Sequence, residues 1–344
     1  MTFDWLLFTQ VERGAVLNYI VKRLVALVLI VFAISIGSFY LIHLLPGDIA
    51  TVILGTGNTP ENRRLLYKQL GLDRSLVIQY LKWMGNILHG NLGTSYVSHG
   101  SINDIIWQSL PVDIEMITIS QIISFSLAIP LAMRAAKRPN GLFDRISNGL
   151  TFGLLSIPSF IVVVFLVLII AIKLQVPGTG PGAFVAMPGI SQFFSTPGEA
   201  FSLLWQNLRS MLIPALTLSI GSFVVYFRVL RSDLIATLQE EFITMARSKG
   251  LERRRIMWRH AFRPSAVALL GTAGINIGGL LAGGFVVQYL LAIPGLGKTL
   301  IQAIQLQDYL VIQSTVLVVA VSVIVINFTV DFITTLVDPR IARD

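Results

Sequence analysis

Cysteine is absent from the 344 residues, which excludes disulfides, thiolate catalysis and cysteine-ligated metals. Charge is scarce: 13% of the chain is Asp, Glu, Lys or Arg, against about a quarter in soluble domains. With 54% hydrophobic residues, too little polar surface remains to clothe a soluble globule. Catalytic groupings are missing as well. His43, His89, His99 and His260 are scattered without ligand-like spacing, and H-E-x-x-H, G-x-S-x-G and paired intramembrane carboxylates do not occur. The expectation is no enzyme activity, no catalytic or metal-ligating residue, and no cofactor bound by this chain.

What is present is apolar length. Six runs reach the roughly 18 residues that read as membrane-spanning: 24–45, 114–133, 152–172, 211–230, 267–287 and 311–336. They are continuous rather than alternating with period two, which argues against a barrel. The fold class expected is an all-α polytopic membrane protein with six transmembrane helices. Pro130, Pro158 and Pro214 fall inside spans, where neighbouring helices or water can satisfy the carbonyls they free.

The net charge of +8 has an uneven distribution that reads as topology rather than nucleic-acid binding. Three basic residues precede the first span, four separate the second and third, nine separate the fourth and fifth, and two follow the sixth. Together these are 18 of the 26 Lys and Arg residues. The positive-inside rule puts these segments and both termini in the cytoplasm. Residues 1–14 are polar and the apolar run after them has no A-x-A site, so no cleavable signal is expected. The resulting organisation is a cytoplasmic segment 1–23, a first span 24–45, an external helical segment 46–111, and a core 112–344 that includes a cytoplasmic hairpin, 233–265.

In the external segment, Thr59-Pro60 reads as an N-cap with proline at the first helical position, and Gly71 as the stop. A second short helix is expected over 76–88. Both could cap the bundle or offer a landing surface to an external partner. The Pro- and Gly-rich stretch 174–206 reads as an irregular loop.

Gly295-Leu-Gly-Lys-Thr299 ends like a phosphate-binding loop, but Ala292 stands where the first glycine would fall and no strand precedes it. It reads as a turn, so ATP is not expected on this chain. The fifth span carries two G-x-x-x-G pairs, Gly274/Gly278 and Gly279/Gly283, which suit close helix packing. Asn276 and Gln288 are polar groups expected to face the bundle interior or a pathway. Acidic residues at span centres and internal repeats, the marks of ion-coupled transport, are missing. Whatever energises transport is expected on another chain.

The hairpin "EEFITMARSKGLERRRIMWRHAFRPS" (240–265) is the exception in charge. Leu234, Leu238, Phe242, Met245 and Ala246 form an apolar stripe at helical spacing. Gly250 has the position of a C′ glycine, with Arg247 and Lys249 in the last turn. A second amphipathic piece carries Ile256, Met257, Trp258 and Phe262. The stretch fits either a basic segment on anionic membrane lipid or a helix seated in a groove of a cytosolic partner.

Glu241-Phe-Ile-Thr-Met-Ala-Arg-Ser-Lys-Gly250-Leu251, followed by Arg259-His-Ala-Phe-Arg263, resembles the "EAA" loop of ABC importer permeases. More narrowly, the chain is similar to the B-type permease of the dipeptide/oligopeptide/nickel branch. Leu45-Pro-Gly-Asp48, Gln79-Tyr-Leu-Lys-Trp83, Ser156-Ile-Pro-Ser-Phe160, Ile293-Pro-Gly-Leu-Gly297 and Asp338-Pro-Arg340 extend the likeness over most of its length.

The resemblance implies a type I importer permease (MetI-like) fold in a bacterial or archaeal plasma membrane. It also implies a homologous second permease, two cytosolic ATPases carrying ATP and Mg, and an extracytoplasmic substrate-binding protein. Glu241, Phe242, Met245, Ala246, Arg247, Gly250, Leu251, Arg259 and His260 would couple to the ATPases. Gly274, Asn276, Gly278, Gly279, Gly283 and Gln288 would serve helix packing or the translocation pathway.

Three features depart from the pattern. Thr244 and Met245 replace the general motif's glutamate and first alanine, Gln288 stands where many relatives have glutamate, and residues 1–16 extend beyond the usual start. Import of nickel or another small solute by the same mechanism remains open, as does a stand-alone channel.

Overall fold

The computed structural model describes residues 25–40, 49–54 and 58–337, which are helical without strands apart from one isolated bridge, Thr94 with Ser101. Among the described residues, four helices are long and apolar enough to cross a membrane: Ile102–Ala136 (α5), Leu212–Thr237 (α10), the continuous helix Arg253–Leu291, and Tyr309–Thr334 within α15 (Tyr309–Val337). A fifth crossing is available if the bent pair Leu142–Leu155 and Ser159–Lys173 counts as one span. The expected first span is described only as the helix Val25–Tyr40 (α1), and the short helix Ile49–Leu54 (α2) follows it in the chain. Its remainder, the Leu45–Asp48 motif, the leader 1–23 and the Asp338–Arg340 motif lie outside the described residues.

Four expectations from the sequence need correction. The helix that carries the second span begins at Ile102, well before 114, and includes Pro111, because Asn103, Asp104, Gln108 and Asp113 hide its first turns from a hydropathy window. At 35 residues this helix is about 52 Å long, well beyond the ~30 Å of a bilayer core. The third span is not one helix. Pro158 lacks an N–H and its ψ of 142° is extended rather than helical, so α6 (Leu142–Leu155) and α7 (Ser159–Leu166) meet at 100°, and α7 runs on into a π-helical turn, Val167–Lys173.

The loop 174–206 contains Ile190–Ser195 (α8) and most of Pro197–Ser210 (α9). Finally, the second amphipathic piece of the hairpin is not separate from the fifth span. Arg253–Arg255 (α12), a π-helical turn Ile256–Ala261 and Phe262–Leu291 (α13) run on as one helix.

The short helices follow their sequence signals closely. In Pro60–Leu70 (α3), the Thr59 hydroxyl accepts from the Asn62 N–H at 3.2 Å, and Gly71, with φ +73°, closes the helix. Leu76–Leu88 (α4) spans the expected residues.

The chain divides into two compact units. One holds residues up to Trp107 together with Gln302–Val325. Its described core is aromatic: Phe39 of α1 meets Tyr80 of α4 edge-on at 5.5 Å, beside Trp83 and Leu317, and Tyr80 shares a 2.9 Å hydrogen bond with Ser35. Buried Asp308 accepts from the Ser95 hydroxyl and from the Tyr96 and Val97 N–H groups, both at 3.4 Å. Burial, with the Asp308 charge beside it, pushes the Tyr96 hydroxyl up to about 12.

The other unit comprises Gln108–Ile301 with Ile326–Thr334. In it α10 packs along α13, and it carries every residue of the candidate site.

Candidate functional site

The hairpin is built from α11 (Glu241–Ser248) and the helix that begins at Arg253. Lys249, Gly250 and Leu251 join them. The Gly250 N–H donates to Arg247 O at 2.9 Å and the Leu251 N–H to Ala246 O at 3.3 Å, the paired bonds of a Schellman turn. Gly250 sits at φ +75°, where a Cβ costs about 1–2 kcal/mol. Leu251, half-buried, packs on the core beneath. Gly250 therefore stops α11 as its spacing suggested.

The apolar stripe is divided between two faces. Ile243 (0% exposed) and Ala246 (7%) point into the core formed by Tyr226, Leu230, Leu234, Ile256 and Met257. Phe242 (46%) and Met245 (59%) point away from it. Ala246 is thus packed against the bundle while Phe242 and Met245 are not, so the single apolar stripe expected from the spacing divides into two faces. Residues three apart share a helix face. Ile243/Ala246 and Phe242/Met245 are two such pairs on different faces, and sequence reasoning had passed over Ile243. Full burial of an isoleucine contributes about 1.5–3 kcal/mol, so the inner pair fixes α11 firmly on the bundle.

Glu241, Arg247 and Arg259 are exposed and His260 is half-buried. Arg259 and His260 lie in the π-helical turn Ile256–Ala261, a backbone variation frequent at functional sites. Arg231, counted above with the loop cations, is bound to the carboxylate of buried Asp144, its second contact being 2.6 Å from Nη2. Arg228 stands 4.3 Å over the Phe152 ring. Both are structural members of α10.

At the opposite end of α13 lies a polar knot. Asp113 of α5 is fully buried. Its carboxylate accepts from Gln288 Nε2 at 2.6 Å and from the Leu296 N–H at 2.8 Å. Gln288 Oε1 accepts in turn from the Gly297 N–H at 2.8 Å. Gly295-Leu-Gly297 is therefore a turn wrapped around one amide side chain and feeding α14 (Leu296–Gln305). A Cβ on Gly295 would strike the Gln288 amide, and one on Gly297 the backbone of Phe285. Gln288 is fully buried and its amide is hydrogen-bonded at both its nitrogen and its oxygen, the interior setting being one of the two expected for it. Asp113 was missed, since a lone acid beside an apolar run gives no motif.

Between the two ends, Tyr226 donates to Gln121 Oε1 at 2.5 Å and lies 3.1 Å from Asn276 Oδ1, while the Ser222 hydroxyl donates to that same Asn276 oxygen at 2.7 Å. Asn276 faces the bundle interior, as its residue type implied. The glycine pairs behave differently from each other. Gly274 and Gly278 are buried, and a Cβ at Gly274 would come within 2.7 Å of Val330. Gly279 and Gly283 have nothing within 4 Å and lie on a side where Ile275 is 79% exposed.

This architecture has known relatives. Residues 128–343 match the family "Binding-protein-dependent transport system inner membrane component", and residues 16–117 match the N-terminal domain of such membrane components. The chain belongs to this family and is a multi-pass permease component of an ABC importer.

A putative peptide transport system permease protein of Brucella abortus is 32% identical over 325 residues, covering 94% of this chain and 99% of the relative. The dipeptide transport system permease protein DppB of Escherichia coli K12 is 30% identical, covering 94% and 98%. The oligopeptide transport system permease protein AppB of Bacillus subtilis is 29% identical, with the same coverage. Among solved structures, an inward-facing MetNI methionine ABC transporter superposes with a TM-score of 0.53 at 14% identity, over 68% of this chain and 96% of that one. At that identity the likeness is one of fold.

Proposed function

We propose that this permease conducts di- or oligopeptides and is driven through α11 by ATPases on other chains. The observation that carries the coupling role is the two-faced helix: Ile243 and Ala246 bind it to the bundle while Phe242 and Met245 stand clear of it. An apolar pair on a rigidly held helix, ringed by charge, is the pattern of helix-in-groove recognition. Because the inner pair packs against α10 and the root of α13, displacement of α11 would be felt by both helices.

In this reading the hairpin, both termini and the basic loops are cytoplasmic, following the distribution of Lys and Arg. Glu241, Arg247, Gly250, Leu251, Arg259 and His260 shape and flank the contact. Two ATPases carrying ATP and Mg bind below, an extracytoplasmic binding protein delivers substrate above, and a homologous second permease completes the pathway. The open Gly279/Gly283 side of α13 faces that pathway, whereas Gly274, Gly278 and Gln288 hold the bundle together. The chain itself performs no catalysis. The division into segments 1–23, 24–45, 46–111 and 112–344 accompanies this reading.

The peptide assignment draws on the names of relatives that align along 94% of the chain. It is tested by ATPase stimulation in the reconstituted complex, with the binding protein loaded with peptides of two to eight residues or with nickel. Stimulation by peptides alone is expected. Stimulation by nickel alone would move the chain to a metal importer, and flux through the purified chain without ATPase would make it a channel.

A further inference from the structure

A cavity of about 910 Å³ opens beside the hairpin, where α5 ends, α6 begins and the helix Arg253–Leu291 starts. Its charged lining is Arg134, Lys137, Arg138, Arg253 and Arg254, with Asp144 the one acid. Asp144 is already neutralised by Arg231. Among the described residues, no carboxylate lies within ion-pair distance of the five cations. Arg134 rests 4.6 Å over the Phe143 ring and Arg253 donates to Lys137 O at 2.9 Å, so two of the five are held in place while keeping full charge. Trp258, half-exposed, closes one side.

The position of this cavity narrows what could fill it. Arg134 is in the last turn of one helix long enough to cross a membrane and Arg253 is the first residue of another, so the cavity lies where the ends of two such helices meet and exposed apolar side chains begin. From its rim, Leu142, Ile146 and Leu150 run along α6, exposed by 78, 52 and 62%. Their spacing of four puts them on one helix face. Five uncompensated cations above an apolar rail match a molecule with an anionic head and hydrocarbon tails. Basic pockets between spans recognise the phosphate heads of anionic phospholipids, and interfacial tryptophan suits the same depth.

We propose that this cavity is a specific site for an anionic phospholipid, with the phosphodiester among Arg134, Lys137, Arg138, Arg253 and Arg254 and an acyl chain along Leu142–Ile146–Leu150. The inference rests on the chain being a membrane subunit and is independent of the coupling role of α11.

The test is binding of fluorescent phosphatidylglycerol or phosphatidylcholine to the purified full-length chain in neutral detergent. Phosphatidylglycerol should bind at least about tenfold tighter, and Arg138→Gln with Arg254→Gln should weaken it by about thirtyfold. The exposed pair Arg255→Gln with Arg263→Gln, equal in charge but outside the cavity, should cost less than about threefold. Arg138→Lys with Arg254→Lys should bind like the parent and guards against misfolding. Equal losses for the two Gln pairs would overturn the proposal in favour of a diffuse basic surface. Full displacement of the lipid by millimolar glycerol 3-phosphate would overturn it in favour of a soluble-phosphate site. Unchanged lipid binding with lost ATPase co-purification would instead assign the cations to an acidic protein surface.

Discussion

The two ends of the helix Arg253–Leu291 are built on opposite plans. At the Gln288 end, polar groups are buried and paired: Asp113, Gln288 and the N–H groups of Leu296 and Gly297 satisfy one another. At the Arg253 end, charge is plentiful and exposed, and the adjoining α11 shows two large apolar side chains to the outside. Low dielectric strengthens a complete buried network and penalises an incomplete one, so the first end gains rigidity from its polar residues. The second keeps its polar residues hydrated and places apolar ones where a partner could cover them. One end fixes the bundle and the other is available to be pushed.

The contrast can be broken by substitution. Asp113→Leu should have the largest effect. It strands Gln288 Nε2 and the Leu296 N–H, each costing about 1–3 kcal/mol, and should lower the thermal midpoint of the purified chain well below that of Asp113→Asn, which keeps one acceptor. Equal midpoints would mean that the knot is hydrated.

Gly297→Ala comes next. Its Cβ meets helix backbone at Phe285, and overpacking of this kind costs about 1–3 kcal/mol. Gly283→Ala, with open space around it, should stay within about 0.5 kcal/mol. Gly250→Ala should cost about 1–2 kcal/mol, and the loss should be local: faster hydrogen exchange in α11 with little change in the global midpoint. A change as small as that of Gly283→Ala, within about 0.5 kcal/mol, is expected for Met245→Glu on the exposed face.

Local signals in the sequence reached far at helix ends. The Thr59 cap, the Gly71 and Gly250 stops and the limits of α4 all follow from residue types that act within one turn. Long-range pairing was not legible. Asp113 and Gln288 are 175 residues apart, and nothing near either one announces the other. The burial of Ala246 and Ile243 and the exposure of Met245 depend on which side of α11 meets α10, which periodicity does not specify. The bend at Pro158 was written in the sequence, but proline inside a span can be tolerated or can break it, and the surrounding helices decide. The cations of the hairpin end read as one topological signal, although the fold commits Arg231 to Asp144 and gathers others around a cavity.

The role proposed for α11 is to transmit work done by the ATPases through its outward face. Its most direct measurement is ATP-dependent uptake by the reconstituted complex carrying Phe242→Glu and Met245→Glu, with the thermal midpoint of the permease recorded in parallel. Uptake should fall by more than about tenfold, as for loss of a buried apolar anchor at an interface, with the midpoint unchanged. Uptake at the parental rate in a complex bearing both substitutions would contradict it.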